Sequence, residues 1–244
     1  MIRPTATALL GAWERGVSQS AVQRALTLLS LVRTDTETDQ CALLSIGRRD
    51  MQLLNLREWA FGSQMTGHAA CPACALELEL NFTVSEIRSI SHGDVPESCN
   101  LGFGDYEVCF RLPNSADLQA LADNSDAASS ACRLLKRCLI RACKYGEEIE
   151  FEQLPFEVQT AISERMGEID PLGDVQLSLK CPQCGHNWKA PFDIVSFLWT
   201  EIHAWAHRLL REVHALASAY GWRESDILAL SPWRRQAYLE MIPR

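Results

Sequence analysis

Apolar residues recur at helical spacing through the first third of the chain. Ala21–Arg33 (AVQRALTLLSLVR) predicts one helix, and Arg48–Phe61 (RRDMQLLNLREWAF) predicts another, with Met51, Leu54, Leu56 and Trp59 set among charges. Thr34–Gln40 between them is polar and acidic and reads as a linker, while Gly47 and Gly62 punctuate the second helix. From Gly67 the period changes to two. Leu76-Glu77-Leu78-Glu79-Leu80 predicts a strand with one buried face, as do Tyr106–Leu112 and Asp174–Lys180. Ser89–Gly104, rich in Ser, Gly and Pro, reads as a loop. Helical spacing returns after Leu112, with Asn114 or Ser115 as the cap, and again over Ala127–Cys143 and Pro155–Ile169, the latter stopped by Asp170-Pro171. A long helix follows over Asp193–Tyr220. Gly221-Trp222 breaks it, a short helix spans Glu224–Leu230, and Ser231-Pro232 opens the last one.

These elements predict an α+β fold, mainly helical, with a small antiparallel sheet. Three regions follow in order: an N-terminal helical segment (1–66), a β region (67–192) interrupted by a strand–helix insertion at about 93–171, and a C-terminal helical segment (193–244). The composition, 47% apolar and 22% charged over 244 residues, supplies a globular core. The 23 Lys and Arg against 31 Asp and Glu give a formal charge of −8, the wrong sign for sequence-independent binding of nucleic acid. The apolar run Ile194–Trp199 meets Glu201 far short of the roughly 18–20 residues that span a membrane, and the N-terminus has no signal-peptide pattern. The expected setting is therefore a reducing cytoplasm, where paired cysteines suggest metal before disulfide.

Four of the ten cysteines are paired in that sense. CPACALELELNFTV (71–84) aligns without gaps on CPQCGHNWKAPFDI (181–194) at an offset of 110: Cys71 on Cys181, Cys74 on Cys184, Phe82 on Phe192. Two thiolates two residues apart in a tight turn reach one tetrahedral zinc, so the two pairs complete a Cys71, Cys74, Cys181, Cys184 site holding one structural Zn2+. Such a site would place strand 76–82 beside strand 186–190. A disulfide or vestigial pairing, and redox catalysis, are the competing readings; His186 is a lesser ligand candidate. Cys132, Cys138 and Cys143 fall in an apolar helical pattern as small buried residues, and Cys41, Cys99 and Cys109 show no ligand spacing.

The long helix carries a main apolar stripe from Ile194 to Leu216 and a second flank of Trp199, His203, His207, Leu210 and His214. His203 and His207 have chelating spacing but lack the Glu of the hydrolytic HExxH motif. Apolar residues on two sides suit a helix packed on both of them, or one that keeps a side for another protein. In the tail, Trp222, Trp233, Arg234, Arg235 and Tyr238 are of interface-anchor type, and closing the core is the alternative use for them. No GxSxG, GxxxxGK[ST] or GxGxxG pattern is present, and the chain is not expected to be an enzyme.

Residues 46–62, both Cys-Pro-x-Cys units, YEVCFRLPNSADL (106–118) and residues 181–242, above all AYGWRESDIL with RRQAYLEM, resemble the baseplate-hub assembly proteins of contractile phage tails and of related injection systems. The first unit departs from the family's Cys-Pro-x-Cys-Gly by carrying Ala75. The resemblance implies a cytoplasmic, non-enzymatic assembly chaperone or adaptor. Its implied partners are baseplate hub, spike or tail-tube proteins, met through Trp199, His203 and the tail residues. A zinc-ribbon nucleic-acid-binding or transcription accessory protein is the alternative, though the segments flanking the knuckles are not basic.

Overall fold

In the computed structural model the described residues are 4–32, 38–91, 93, 95–121 and 127–242. Along the chain they form α1 (Ala6–Gly16), α2 (Ala21–Leu29), α3 (Thr38–Leu43), α4 (Ile46–Phe61), β1 (Gln64–Ala70), β2 (Glu77–Thr83), α5 (Val84–Arg88), β3 (Cys99–Phe103), β4 (Tyr106–Phe110), α6 (Ser115–Leu121) and α7 (Ala127–Cys138). β5 (Leu139–Lys144), β6 (Glu147–Glu148), α8 (Phe156–Ile169), β7 (Val175–Lys180), β8 (Asn187–Phe192), α9 (Ile194–Tyr220), α10 (Glu224–Ala229) and α11 (Pro232–Glu240) complete them. The fold is α+β, mainly helical, with small antiparallel sheets. Residues 33–37, where the sequence predicts the end of the α2 helix and most of the acidic linker, lie outside the described set, as do His92 and Asp94 of the expected Ser89–Gly104 loop.

The chain forms two compact units, residues 1–34 with 195–244 and residues 35–194. In the second, β3-β4-β5-β6 make a four-stranded antiparallel sheet. Its Val108, Phe110 and Ala142 bury against Phe151, Leu154, Val158 and Ile162, the last two from α8. Two features depart from the periodicity reading here. The Ala127–Cys143 helix stops at Cys138, and Leu139–Lys144 crosses as β5 to pair with β4. Apolar residues in so short a run fit either period, and the pairing partner decides. Cys143 is thus a buried strand residue, and Cys132 is exposed. Likewise Cys99–Phe103, inside the expected loop, is strand β3 because β4 offers it a full ladder.

Charged residues pin the start of α4 and α6. The Gly47 amide donates to Asp170 Oδ2 at 2.9 Å, and a Cβ on Gly47 would lie 1.8 Å from the other oxygen. Asp117, with 1% of its side chain exposed, accepts from both Arg111 Nη atoms at 2.6 and 2.9 Å, from Arg137 Nε at 3.0 Å and from the Asn114 amide at 3.2 Å. These donors, led by the Arg111 side chain, overcome desolvation and hold its carboxyl below the usual range. Asn114 Oδ1 in turn accepts from the Asp117 amide, so of the two predicted caps it is Asn114 that closes the helix.

In the other unit α1 and α2 meet α9. The ring of Trp199 lies over Gly16, where a Cβ would come within 2.3 Å, and Arg24 covers the ring at 4.5 Å. Further along, Val213 and Leu216 bury with Ile227 of α10, joined by Trp222, Tyr238 and Leu239. Ser231 caps α11 by accepting from the Arg234 amide, as the Ser-Pro start predicts.

Candidate metal centre

Each Cys-Pro-x-Cys segment is the turn of its own hairpin. β1 pairs with β2, and β7 with β8, in two separate two-stranded sheets. Strand 76–82 therefore pairs with 64–70 and not with 186–190, the neighbour expected from sequence. QMTGHAA has a small-residue, near-featureless alternation, and only its ladder to Glu77–Thr83 reveals it as a strand.

The two turns share one hydrogen-bond pattern. Cys71 N–H donates to the Leu76 carbonyl at 2.9 Å and Ala75 N–H to the Cys71 carbonyl at 2.8 Å. At the second turn Cys181 N–H donates to His186 O at 2.9 Å, and Gly185 N–H to Cys181 O at 3.0 Å. The residue after each second cysteine takes positive φ, +58° at Ala75 and +74° at Gly185, which turns the chain back into the outgoing strand.

The hairpins meet as near-symmetric halves. Cys71 Sγ lies 3.7 Å from Cys184 Sγ, and Cys74 Sγ lies 3.6 Å from Cys181 Sγ. Exchanging the two units by the offset of 110 maps one of these pairs onto the other. It also maps onto itself the edge-to-face contact of Phe82 with Phe192, whose rings are 5.4 Å apart. The internal duplication in sequence is thus a pseudo-twofold axis in space, running through the sulfur cluster.

All four sulfurs lie within 4.8 Å of one another, the one such cluster of metal-binding side chains among the described residues. The spacing fits a tetrahedral ion: bonds of about 2.3 Å to zinc set sulfurs about 3.8 Å apart. It does not fit a disulfide, whose sulfurs stand about 2.05 Å apart, and all ten cysteines are free. The thiols do not share one acidity. The backbone amides of Cys184 and then Gln183 draw the Cys181 thiol down to about 7. Against the pull of the Leu76 amide, desolvation and the neighbouring thiols push Cys74 up to about 12. Four thiolates this close repel one another unless a positive ion lies among them.

The family described as T4 bacteriophage base plate protein matches residues 7–199, a span that includes both knuckles and every strand. The chain belongs to that family. Its role is therefore related to the phage baseplate. No curated protein and no solved structure matches the chain. The matched span ends at residue 199, so the AYGWRESDIL and RRQAYLEM segments lie beyond it. Among the described residues, no helix of this baseplate protein is long and apolar enough to cross a membrane.

The expected partner-facing residues fall into two groups. Trp199 is buried at 8% exposure between Gly16 and Arg24, and Arg235 at 4% donates to Glu212 Oε2 at 3.0 Å and to Leu230 O at 2.8 Å. Both hold their unit together: the small glycine and the Glu212 carboxylate draw inward what sequence places at a surface. The others reach solvent. Trp222 stacks on Tyr220 at 4.8 Å and meets the edge of Tyr238 at 4.8 Å, forming a half-buried aromatic shelf. Beyond it Trp233 is 81% exposed, Met241 is 67% exposed, and Arg234 is exposed. His203 is exposed too, its Nδ1 accepting from Trp13 Nε1 at 3.1 Å. That bond commits one ring nitrogen, and His203, His207 and His214 do not converge as metal ligands. His186 stacks on Trp188 outside the sulfur cluster.

Proposed function

We propose that this baseplate-family protein is a non-enzymatic assembly chaperone or adaptor for hub, spike or tail-tube components of a contractile tail. In this reading a single structural zinc, held by Cys71, Cys74, Cys181 and Cys184, staples its two hairpins. The observation that carries the adaptor role is the aromatic surface at the C-terminal end. Trp233, four-fifths exposed, and the exposed Arg234 stand at the start of α11, the exposed Met241 follows its end, and Tyr238 of the same helix belongs to the aromatic shelf. Large side chains of this kind are costly to leave in water. Those residue types serve a partner's apolar surface, and the α11 helix that presents them is itself packed through Tyr238 and Leu239. The zinc role is structural because four protein sulfurs fill a tetrahedral shell and leave no open position for substrate.

The adaptor reading is tested by affinity capture of the tagged protein from its native host with partners identified by mass spectrometry. Recovery of hub, spike or tube proteins, lost in Trp233→Ala/Met241→Ala, is the expected result. Recovery of polymerase subunits or nucleic acid without tail proteins overturns it. The metal is tested by elemental analysis of the purified chain. One zinc per chain, absent from Cys181→Ser/Cys184→Ser, is expected; unchanged metal content in that variant removes the zinc.

A further inference from the structure

The acidity of the chain is unevenly divided. Residues 1–34 with 195–244 hold ten arginines, no lysine and six carboxylates, a formal +4. Residues 35–194 hold thirteen cations and twenty-five carboxylates, a formal −12. A basic unit whose cations are all arginine, inside a chain of net −8, has the composition of a surface that recognises carboxylates.

Two of its arginines lie on α9 beside three histidines. His203, His207, Arg208, Arg211 and His214 are all exposed on one arc of that helix. Of the two α9 carboxylates, Glu201 and Glu212, the latter is turned onto Arg235. Arg208 and Arg211 have no carboxylate partner among the described residues. His207, Leu210, Arg211 and His214 line a shallow, open depression on the surface of α9, with the half-buried Leu210 as its apolar element. The arc is also held in shape. Trp13 donates to His203 and sets its ring edge against His207 at 5.4 Å, His203 and His207 lie 4.5 Å apart, and Arg211 Nε donates to the His207 carbonyl at 3.1 Å. Among the described residues, the Arg211 Nη groups meet no carboxylate.

We infer that this face of α9 docks an acidic amphipathic segment of a partner protein, its carboxylates on Arg208, Arg211 and the imidazoles and an apolar side chain against Leu210. Guanidinium groups pair with carboxylates through two parallel hydrogen bonds, and the apolar Leu210 gives the segment a register. Nucleic acid fits less well. It needs a longer track of cations than two arginines and three imidazoles supply. The inference rests on the adaptor reading above and names the partner's chemistry at a second face, outside the residues that the family match spans.

Fluorescence anisotropy with the full-length protein tests it. The probe is a labelled synthetic helix of about five turns with glutamates on one face and leucines on the other; a lysine-for-glutamate version and a DNA duplex of similar length are the comparisons. The acidic helix binds, and the lysine version and the duplex do not. Arg208→Glu/Arg211→Glu, checked for native circular dichroism, weakens binding by about tenfold or more, as does added salt. His207→Ala/His214→Ala, which keeps both arginines, weakens it less. No binding of the acidic helix, binding indifferent to the double reversal, or preference for the duplex overturns the inference. So does concentration-dependent self-association that the double reversal abolishes, because a second copy then occupies the face. Capture of baseplate proteins from the host by wild type and double reversal alike overturns this face and leaves the adaptor reading standing. Capture of none by either overturns the adaptor reading itself.

Discussion

Ala75 holds φ at +58°, a conformation in which its methyl crowds the following carbonyl. Its counterpart in the duplication is Gly185 at +74°, which has no methyl to crowd. Ala75→Gly relieves that strain and raises stability by about 1 kcal/mol, while Gly185→Ala lowers it by a similar amount. Calorimetric melting of the three proteins reads both signs, and a lower melting point for Ala75→Gly would contradict the strain. Tyr145 at +53°, ahead of Gly146 at +84°, bears the same cost in the β5–β6 turn.

Asp50 is the second residue with an outsized effect. Burial pushes its carboxyl up to about 6, with Arg49 at 2.7 Å pulling down and Asp193 and Asp170 pushing up. The folded chain therefore holds the Asp50 proton more tightly than the unfolded chain, whose carboxyl titrates near 3.8. Its contribution to stability is fully present below pH about 4 and declines as the pH rises to about 6. Denaturant unfolding of wild type and Asp50→Asn across that interval checks this: the difference between them changes between pH 4 and 6 and is level above about 7.

At the scale of elements, two carboxylates decide how helices begin. Asp117 joins β4 through Arg111, the end of α7 through Arg137 and the start of α6 through Asn114. Asp117→Ala strands a half-buried arginine and leaves the Asn114 amide without its acceptor, and a loss of about 3–5 kcal/mol is expected in chemical denaturation. Gly47→Ala forces a methyl into the Asp170 carboxylate that caps α4, and displacing either destabilises the protein by about 1–3 kcal/mol or more. The control Gly167→Ala, at a helical glycine with open space where its Cβ would go, is neutral or stabilising.

The strands show where periodicity suffices and where it does not. β2, β4 and β7 were legible because their alternation is strict. β1 and β3 were not, since Gln-Met-Thr-Gly-His-Ala-Ala and Cys-Asn-Leu-Gly-Phe hold too few β-branched or large apolar residues to stand out. A partner strand supplies the order that their own side chains lack. β5 was read as the end of a helix for a related reason: Leu139 and Ile140 suit either period, and only β4 selects one.

At the scale of the molecule, the sulfur cluster closes a loop of more than a hundred residues between the knuckles, which the unfolded chain must bring together. If zinc holds it, chelation lowers the melting temperature, since ion binding is then part of the folding free energy. The melting temperature recovers with added zinc and not with magnesium, whose hard oxygen preference does not suit four thiolates. A chelator that leaves the transition unmoved argues against a structural ion. Aromatic fluorescence from Trp188 in the second hairpin reports the same event locally.

The chain alone determined the cysteine pairs, their duplication, the helical character of both ends and the cap at Ser231. Each of these is written in local spacing or in short-range hydrogen bonding. Tertiary structure decided that each knuckle closes its own hairpin, that the two hairpins meet across a pseudo-twofold axis, and that the first 34 residues and the last 50 share one unit. It also decided which tail residues face water: Trp233 does, while Trp199 and Arg235 are taken inward by Gly16 and Glu212. A residue's exposure depends on neighbours brought in from distant sequence, and local periodicity holds no record of them.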